Sequence, residues 1–403
     1  MATVQVHGHC DPRFSSLRDT LSSRLNSSLE LGASMCVTVH GKTLVDIHGG
    51  YKTPARTEPW TATTLAPVWS VSKTISALSV LLLIDRNQLT PDTPLADFWP
   101  AFNTDDKRSI LVRHVLSHTS GLPAWDPPIT EDELFNNTQS ATEKLVSQRP
   151  WWEPGTASGY HLVSQGILLN EIVHRVSGKT MAQFIQDEFA TPLNAEFYLG
   201  LQDESQWPRI AELLAPPPMD FKGAAAGVKS GSGSGKPLPL PLRAMIGVPM
   251  RAESPQTPGF RKAGLGSMGG FSNAKGFNKI LEIVTNRGTV VGPDGKVIQF
   301  LKPETVDLIF DVQADGTDLV LGMPLRMGLG FGLSNGSLDW IPQGRVAFWG
   351  GWGGSLAVLD LDRGVTFTYA MNRMENGTLG NSSAEAYGRE LYRILKEEEK
   401  ANL

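Results

Sequence analysis

The 403-residue chain has only two cysteines, Cys10 and Cys36. Two cysteines are too few for a disulfide framework, and although they are able to pair, a reducing compartment is the simpler interpretation. The first ten residues contain neither a basic stretch nor an apolar core, so we predict no secretory signal peptide. No uninterrupted apolar stretch reaches the length of about 20 residues that spans a membrane. These absences predict a protein that is not secreted and that has no membrane span.

The sequence also lacks a strong charge of either sign. Its net charge is −5 and it contains no long basic run, which disfavours nucleic acid and anionic membranes as partners. The end of the chain, Ala401-Asn402-Leu403 after Lys400, resembles a weak variant of the C-terminal peroxisomal address Ser-Lys-Leu. An ordinary frayed tail is the competing interpretation. We therefore expect a cytoplasmic protein, with peroxisomal import as the alternative.

Apolar residues make up 40% of the chain and charged residues 19%, which is typical of a globular enzyme. Strand patterns occupy both ends of the chain and helical patterns the middle. We therefore predict an α+β fold, in which an antiparallel sheet flanked by helices is formed by both chain ends and a mostly helical domain is inserted. The predicted helices cover residues 13–31, 75–84, 113–117, 161–176, 275–287 and 384–396. The predicted strands cover residues 35–40, 43–48, 328–333, 346–349, 355–360 and 365–372.

The domain boundaries follow from this order of elements. Residues 1–66 and 255–403 are predicted to form an α/β sandwich domain, and residues 67–254 the helical domain. A stretch near 216–242 is rich in Pro, Gly and Ser and has no periodicity, so we predict a long loop or flap there.

The helix predicted over 75–84 is preceded by a serine and a lysine three residues apart, Ser70 and Lys73. On a helix this spacing places both side chains on one face, within hydrogen-bonding reach. A helix that is apolar nearly all round must be buried, so Lys73 in its first turn is expected to be buried too. A desolvated lysine is neutral more easily and is able to take the proton of a serine nucleophile. The pair therefore indicates acyl transfer.

Three other motifs match patterns of serine nucleophiles or phosphate-binding loops. The residues around each motif argue against that function. Ser272-x-x-Lys275 follows a glycine-rich loop and precedes an amphipathic helix, which indicates a helix cap. The G-x-S-x-G run around Ser334 lacks the helix that must follow a nucleophile elbow. The run 231–236 resembles a phosphate loop, but its spacing is wrong and Pro237 replaces the required hydroxyl residue.

Histidine clusters are candidate metal ligands. His7, His9 and Cys10 lie together near the start of the chain, but no fourth ligand is apparent, so a solvated terminus is preferred. His114 and His118 have helical spacing, yet the run from 116 to 123 is better interpreted as a helix ending in a hydrogen-bonded turn. We predict neither a metal nor a cofactor.

Two further segments are candidates to act together with Ser70 and Lys73. Tyr160 precedes the helix predicted over 161–176, where a half-buried structural tyrosine is the alternative interpretation. The run 349–355, which contains four glycines, begins a strand and allows backbone to approach a ligand closely.

Together these motifs resemble the serine β-lactamase and penicillin-binding-protein fold, and most closely the family VIII carboxylesterases, which look like class C β-lactamases. The resemblance covers nearly the whole chain, and several ordered motifs are more specific than any one of them. The residues that carry it are Asp11-Pro12-Arg13-Phe14, Ser70-Val71-Ser72-Lys73, His118-Thr119-Ser120-Gly121-Leu122-Pro123, Trp152-Glu153-Pro154-Gly155-Thr156, Tyr160-His161, Gly328-Leu329-Gly330-Phe331-Gly332 and Met371-Asn372-Arg373-Met374.

The resemblance implies a role for each matched residue. Ser70 corresponds to the acylated serine, Lys73 to its base, and Tyr160 to the tyrosine that passes the proton to the leaving group. Trp349-Gly350-Gly351 stands in the place of the lactamase Lys-Thr-Gly motif, and the backbone N–H groups of Ser70 and Trp352 would form the oxyanion hole.

Two departures from the lactamase pattern bear on the substrate. Leu162 stands where the lactamases have Asn, and Trp349 where they have Lys. These replacements remove the groups that hold the amide and the carboxylate of a β-lactam. The resemblance therefore implies neutral, apolar-flanked esters rather than β-lactams or peptides.

Three functional hypotheses follow, in order of preference. The first is a serine carboxylesterase that works through an acyl-Ser70 intermediate on a small-molecule substrate. The second is an acyltransferase of a natural-product pathway that passes the acyl group from an ester or thioester to an alcohol. The third is a non-catalytic scaffold of the same fold, since fold alone does not determine function.

Overall fold

The computed structural model describes residues 3–217 and 238–401. The strands are β1 Val6–Cys10, β2 Gly32–Val39, β3 Lys42–Gly50, β4 Ala66–Pro67, β5 Phe197–Leu199, β6 Gly270–Ser272, β7 Thr289–Val291, β8 Val297–Gln299, β9 Ala314–Thr317, β10 Pro324–Met327, β11 Gly332–Leu333, β12 Val346–Gly350, β13 Leu356–Asp360 and β14 Val365–Met371. The α-helices are α1 Ser15–Asn26, α2 Ser72–Asp85, α3 Val112–Leu116, α4 Glu131–Phe135, α5 Thr138–Ser147, α6 Ser164–Ser177, α7 Met181–Ile185, α8 Thr191–Leu193, α9 Leu240–Ile246, α10 Pro258–Ala263, α11 Ala274–Thr285, α12 Pro303–Asp307 and α13 Ser382–Ala401.

Nine strands form one antiparallel sheet, in the order β1-β3-β2-β14-β13-β12-β11-β10-β9. The N-terminal hairpin and the C-terminal strands meet where β2 pairs with β14, from Val39 opposite Val365 to Ala33 opposite Met371. Both chain ends therefore build the sheet, which confirms the predicted α+β architecture.

Helices cover both faces of this sheet. Asp46 in β3 forms a salt bridge with Lys275 of α11, whereas a side chain at Gly49 would meet Leu25 of α1. Residues 46 and 49 are an odd number apart, so they point to opposite faces of the strand. Helix α11 therefore lies on one face, and α1, which also packs against α13, lies on the other.

Helix α2 is enclosed along almost its whole length. Every residue from Ser72 to Ile84 is buried, and the helix packs against α6 and α7. A helix that is apolar on all sides is stable only when its whole circumference is covered. The expected burial of this helix, and of Lys73 within it, is confirmed.

The structure corrects one predicted strand and adds a strand at the start of the chain. The stretch 328–333 is not one strand, because the chain turns at Gly330 with φ of 86° between β10 and the two-residue β11. Strand β1 was not predicted at all. It is an edge strand whose residues are mostly exposed, so it carries no apolar alternation that would identify it.

Helix limits and the predicted loop are corrected as well. The first helix ends at Asn26 rather than near 31, since Ser28 adopts a φ of 60° and Gly32 begins β2. The short helix α9 begins inside the stretch that was predicted to be a loop near 216–242. Residues 218–237 of that stretch, with the run 231–236, lie outside the described residues, as do Asn402 and Leu403.

The described part of the chain contains no helix that is long and apolar enough to cross a membrane. The strands of the large sheet lie within residues 1–66 and 255–403, and helices α2 to α9 lie within residues 67–254. The division into two domains at these boundaries stays a prediction.

Candidate active site

Ser70 lies in a tight turn, the 3₁₀ helix Trp69–Val71, which leads directly into α2. Trp69 has a φ of 49°, which is uncommon for a residue other than glycine and indicates a strained turn. The Ser72 hydroxyl supports the turn, since it donates to the Trp69 carbonyl at 2.6 Å and accepts from the backbone N–H of Gly270 at 2.9 Å. From residue 64 to residue 84, Ser70 alone is not buried. The turn therefore presents one serine at the surface of an otherwise closed core.

Lys73 lies beneath Ser70 and is only 2% exposed. Its Nζ lies 3.2 Å from the Ser70 hydroxyl oxygen, 2.8 Å from the Leu162 carbonyl and 3.0 Å from the Ser267 carbonyl. Burial lowers the pKa of Lys73 well below its ordinary value. A neutral amine has two N–H donors and one lone pair, so the two carbonyls take the donors and the lone pair faces Ser70. This geometry suits a base for the serine hydroxyl.

Tyr160 is also buried, and its ring centroid lies 4.8 Å from Lys73 Nζ. Burial raises the pKa of Tyr160 to about 12, while the side chains of Ser70 and Trp349 partly oppose the shift. The phenol is therefore neutral at pH 7 and carries a proton that it is able to donate beside Ser70. The fold therefore brings Tyr160 next to the pair Ser70 and Lys73, as the motifs predicted.

An aromatic wall surrounds the tyrosine. The His118 ring lies 4.9 Å from the ring of Tyr160, edge to face, and stacks on Trp349 at 5.9 Å. The His118 Nδ1 accepts the backbone N–H of His161 at 3.2 Å. Burial is the main cause that lowers the pKa of His118 well below its ordinary value, so the ring is neutral. His118 lies in the predicted structural turn, but its ring also shapes the site, which the sequence did not indicate.

The end of β12 approaches the serine turn closely. A Cβ atom on Gly351 would lie 2.3 Å from the Val68 carbonyl oxygen, so only glycine permits this contact. The Gly351 N–H donates to the Ser355 carbonyl at 2.7 Å. Within residues 3–217 and 238–401, the N–H of Trp352 donates to no protein acceptor. A free donor next to the serine turn is what an oxyanion hole formed with Ser70 would need.

The hydroxyls of the other two motif serines, Ser334 and Ser272, donate to backbone carbonyls. The Ser334 hydroxyl donates to the Gly344 carbonyl at 3.1 Å, and no helix follows it. The Ser272 hydroxyl donates to the Glu196 carbonyl at 2.6 Å from within β6. The cap of α11 is Asn273, so the prediction that Ser272 caps this helix is wrong by one residue. Neither serine has the environment of Ser70.

The histidines of the two candidate clusters make contacts with neighbouring strands and backbone. The rings of His7 and His48 lie 5.9 Å apart across β1 and β3, and the His114 Nδ1 accepts the N–H of Leu111 at 3.2 Å. Cys10 and Cys36 are both free thiols. No group of three metal-ligating side chains able to hold an ion occurs in the two described stretches of the chain.

Sequence reasoning missed three groups that touch the candidate machinery. Leu162 was named for its side chain, yet its carbonyl is what contacts Lys73. Ser267 contributes the second carbonyl, from a glycine-rich loop that was interpreted only as a connection. Asp318 accepts the backbone N–H of Tyr160 at 2.9 Å from 158 residues away. A local pattern indicates none of these contacts.

Comparisons with known proteins extend over nearly the whole chain. A family model described as Beta-lactamase matches residues 17–389. The esterase/beta-lactamase LipL of Mycobacterium tuberculosis is 26% identical over 397 residues, which are 98% of this chain and 88% of LipL. A crystal structure of a family VIII carboxylesterase superposes with a TM-score of 0.85 and 27% identity, covering 97% of this chain and all of that one. A penicillin-binding-protein homologue from Caulobacter crescentus gives the same TM-score, identity and coverage.

Proposed function

The chain belongs to the Beta-lactamase family and is an enzyme of the related serine hydrolase superfamily, and from this premise we propose that it hydrolyses carboxylic esters through an acyl-Ser70 intermediate. The observation that carries the proposal is the contact of buried Lys73 with the Ser70 hydroxyl at 3.2 Å. A buried lysine costs folding free energy. A role of the neutral amine as a catalytic base would explain why the chain keeps a lysine at this buried position.

The first half of the reaction forms the acyl-enzyme. Ser70 Oγ attacks the ester carbonyl carbon while its proton passes to Lys73 Nζ. The backbone N–H groups of Ser70 and Trp352 stabilise the oxyanion of the tetrahedral intermediate. When the C–O bond of the leaving group breaks, Tyr160 protonates the departing alkoxide and recovers a proton from the Lys73 ammonium. The products are an alcohol and acyl-Ser70.

The second half regenerates the enzyme. Water attacks the acyl carbonyl and gives its proton to the Lys73–Tyr160 pair, and the proton returns to Ser70 Oγ as the carboxylic acid leaves. An alcohol in place of water would give a new ester, which is the acyltransferase alternative. The buried base and the neutral phenol beside Ser70 favour catalysis over the scaffold hypothesis, because a scaffold needs neither.

The groups around Ser70 favour a neutral ester. Trp349 is buried against Tyr160, with ring centroids 5.2 Å apart, and the partly buried Trp352 packs edge-on against Trp69 at 5.1 Å. Leu162 adds an aliphatic side chain that is partly buried. Of these side chains, the partly buried Trp352 and Leu162 expose apolar surface, and none of the three is the cationic anchor that a carboxylate-bearing substrate requires. The proposed substrate class is therefore a small carboxylic ester with apolar flanks.

Intact-mass spectrometry with a p-nitrophenyl acyl ester tests the proposal. We expect wild type to gain the mass of one acyl group and Ser70→Ala to gain none. Ser272→Ala and Ser334→Ala are matched controls that remove the other motif hydroxyls and should still be acylated. An adduct that persists in Ser70→Ala contradicts the assignment. Repeating the reaction with a primary alcohol, and analysing the products for a new ester, separates hydrolysis from acyl transfer.

A further inference from the structure

The backbone that carries Tyr160 belongs to no regular element. Residues 157–161 have neither helical nor strand hydrogen bonding, and α6 begins only at Ser164. A proton donor must be held within a fraction of an ångström of its productive position, because a misplacement of about 1 Å is able to cost about 100-fold in rate. Some group outside the secondary structure must therefore hold this segment.

Asp318 contacts this segment at two points. Its Oδ1 accepts the backbone N–H of Tyr160 at 2.9 Å, and its Oδ2 accepts the Ser158 hydroxyl at 2.8 Å. The Leu319 N–H also donates to the Ser158 carbonyl at 2.8 Å. The carboxylate therefore binds the residue that carries the phenol and the residue two positions before it.

The same carboxylate also organises its own loop. Oδ1 accepts the N–H groups of Val320 and Leu321, each at 2.9 Å, so the turn that follows Asp318 holds this oxygen in place. The side chain is 1% exposed, and no lysine, arginine or histidine forms a salt bridge with it in the described ranges 3–217 and 238–401. Four hydrogen bonds from neutral donors take the place of a counter-ion. Hydrogen bonds to an ionised acceptor are about twice as strong as neutral ones.

We propose that Asp318 is a positioning residue for Tyr160, which fixes the phenol beside Ser70 by holding the backbone of residues 158–160. This inference rests on the proposed function, in which Tyr160 protonates the leaving group. A buried charge without a cationic partner is costly, and the contact with Tyr160 gives a reason for its retention. Asp318 touches no reacting atom and acts only through Tyr160.

The test separates positioning from a general contribution to the fold. Asp318→Asn removes the charge but keeps an acceptor oxygen, and the Ser158 hydroxyl is able to accept from the new amide. The acylation rate constant and the substrate dissociation constant are measured by stopped flow with an ester of a weakly acidic alcohol, whose leaving group needs a proton to depart, in wild type and in Tyr160→Phe. We expect Asp318→Asn to slow acylation about tenfold with unchanged substrate binding, and to change it less than twofold in the Tyr160→Phe background.

Two more variants strengthen this comparison of Asp318→Asn in the two backgrounds. Asp360→Asn changes another buried carboxylate, which accepts the Arg363 N–H at 3.0 Å, and should leave acylation unchanged. If Asp318→Asn does not fold, Ser158→Ala removes one of the four hydrogen bonds and should slow acylation two- to threefold only when Tyr160 is present.

Two results would overturn the inference, namely an equal loss in both backgrounds or no loss in either. A normal acylation rate in Tyr160→Phe alone is a different failure. It would remove Tyr160 from the proposed mechanism without any change at residue 318, and the inference about Asp318 would fall with it.

Discussion

The chain contains the same four-residue spacing twice, at Ser70-x-x-Lys73 and at Ser272-x-x-Lys275, in entirely different environments. Lys73 is 2% exposed and contacts its serine, whereas the side chain of Lys275 is 49% exposed and pairs with Asp46 at 2.7 Å. Burial lowers the pKa of Lys73, and the hydrogen bond to Asp46 raises the pKa of Lys275. The four-residue spacing alone is therefore not sufficient, because Ser272 lies in β6 rather than on the helix of Lys275, and the environment decides whether the lysine is a base.

The largest expected effect comes from changing each lysine to arginine. A guanidinium stays protonated and cannot accept the serine proton, so Lys73→Arg should lower kcat/KM for an activated ester by about 10³-fold or more. Lys275→Arg, the matched control, keeps an exposed cation beside Asp46 and should retain full activity. Near-wild-type turnover by Lys73→Arg would show that the Ser70–Lys73 mechanism is wrong.

The pH dependence of acylation tests the lowered pKa of Lys73 without any substitution. Lys73 must be neutral to act, and because its pKa is lowered, the active form persists below the ordinary lysine pKa of about 10.4. Acylation by wild type should therefore fall on the acid side, with an apparent pKa well below that of free lysine. An acid limb near that ordinary value would contradict the lowered pKa of Lys73 on which the proposed base depends.

Tyr160→Phe tests the third member of the site. Losing a general acid typically costs about 10²-fold or more, so kcat/KM for an ester with a poor leaving group should fall by that amount. Tyr392→Phe removes another buried hydroxyl, one without a hydrogen-bond partner among the described residues, and should leave activity unchanged. Equal activity of both variants would remove the phenol from the mechanism.

Burial lowers the pKa of a lysine and should raise the pKa of a carboxylic acid. Glu30 allows this second effect to be measured. It is 1% exposed, accepts hydrogen bonds from the hydroxyls of Tyr369 and Tyr387, and has a pKa raised to about 7 by burial. The folded state therefore binds more protons than the unfolded state between about pH 4.5 and 7, so the free energy of unfolding falls as pH rises through that window.

Glu30→Gln should remove about 2–3 kcal/mol of this pH dependence, since one pKa unit corresponds to about 1.4 kcal/mol. Glu282 also has a pKa raised to about 7 by burial, so the slope should be roughly halved rather than abolished. Urea denaturation at pH 5 and pH 8 measures both values. An unchanged slope would show that Glu30 does not titrate in this window.

The smallest effect is expected at the exposed salt bridge between Asp46 and Lys275. Asp46→Ala removes the partner of Lys275, and exposed salt bridges contribute about 0.2–1 kcal/mol. The free energy of unfolding should fall by no more than that, and ester turnover should not change. A loss of activity would mean that the second motif contributes to catalysis after all.

Much of the fold was predictable because its signals are local. The hairpin of β2 and β3 and the amphipathic helix α11 carry apolar patterns within about 15 residues, and α2 is recognisable as a continuous apolar stretch of helical length. Strand β1 was missed because its side chains are mostly exposed, and the break at Gly330 was missed because the stretch 328–333 contains enough apolar residues to resemble one strand. Exposure and backbone conformation at single positions leave little periodic signal.

The sequence by itself determined that Ser70 and Lys73 share one helix face, that the helix behind them is buried, and that Tyr160 precedes another helix. These features depend on helix geometry and on hydrophobic periodicity, which act over a few residues. The tertiary structure decided which groups surround the lysine and the tyrosine. The carbonyls of Leu162 and Ser267 and the carboxylate of Asp318 come from segments 89 to 194 residues away from the groups they contact. Such contacts form only when separate elements pack together, because hydrogen bonds between distant segments leave no trace in local spacing.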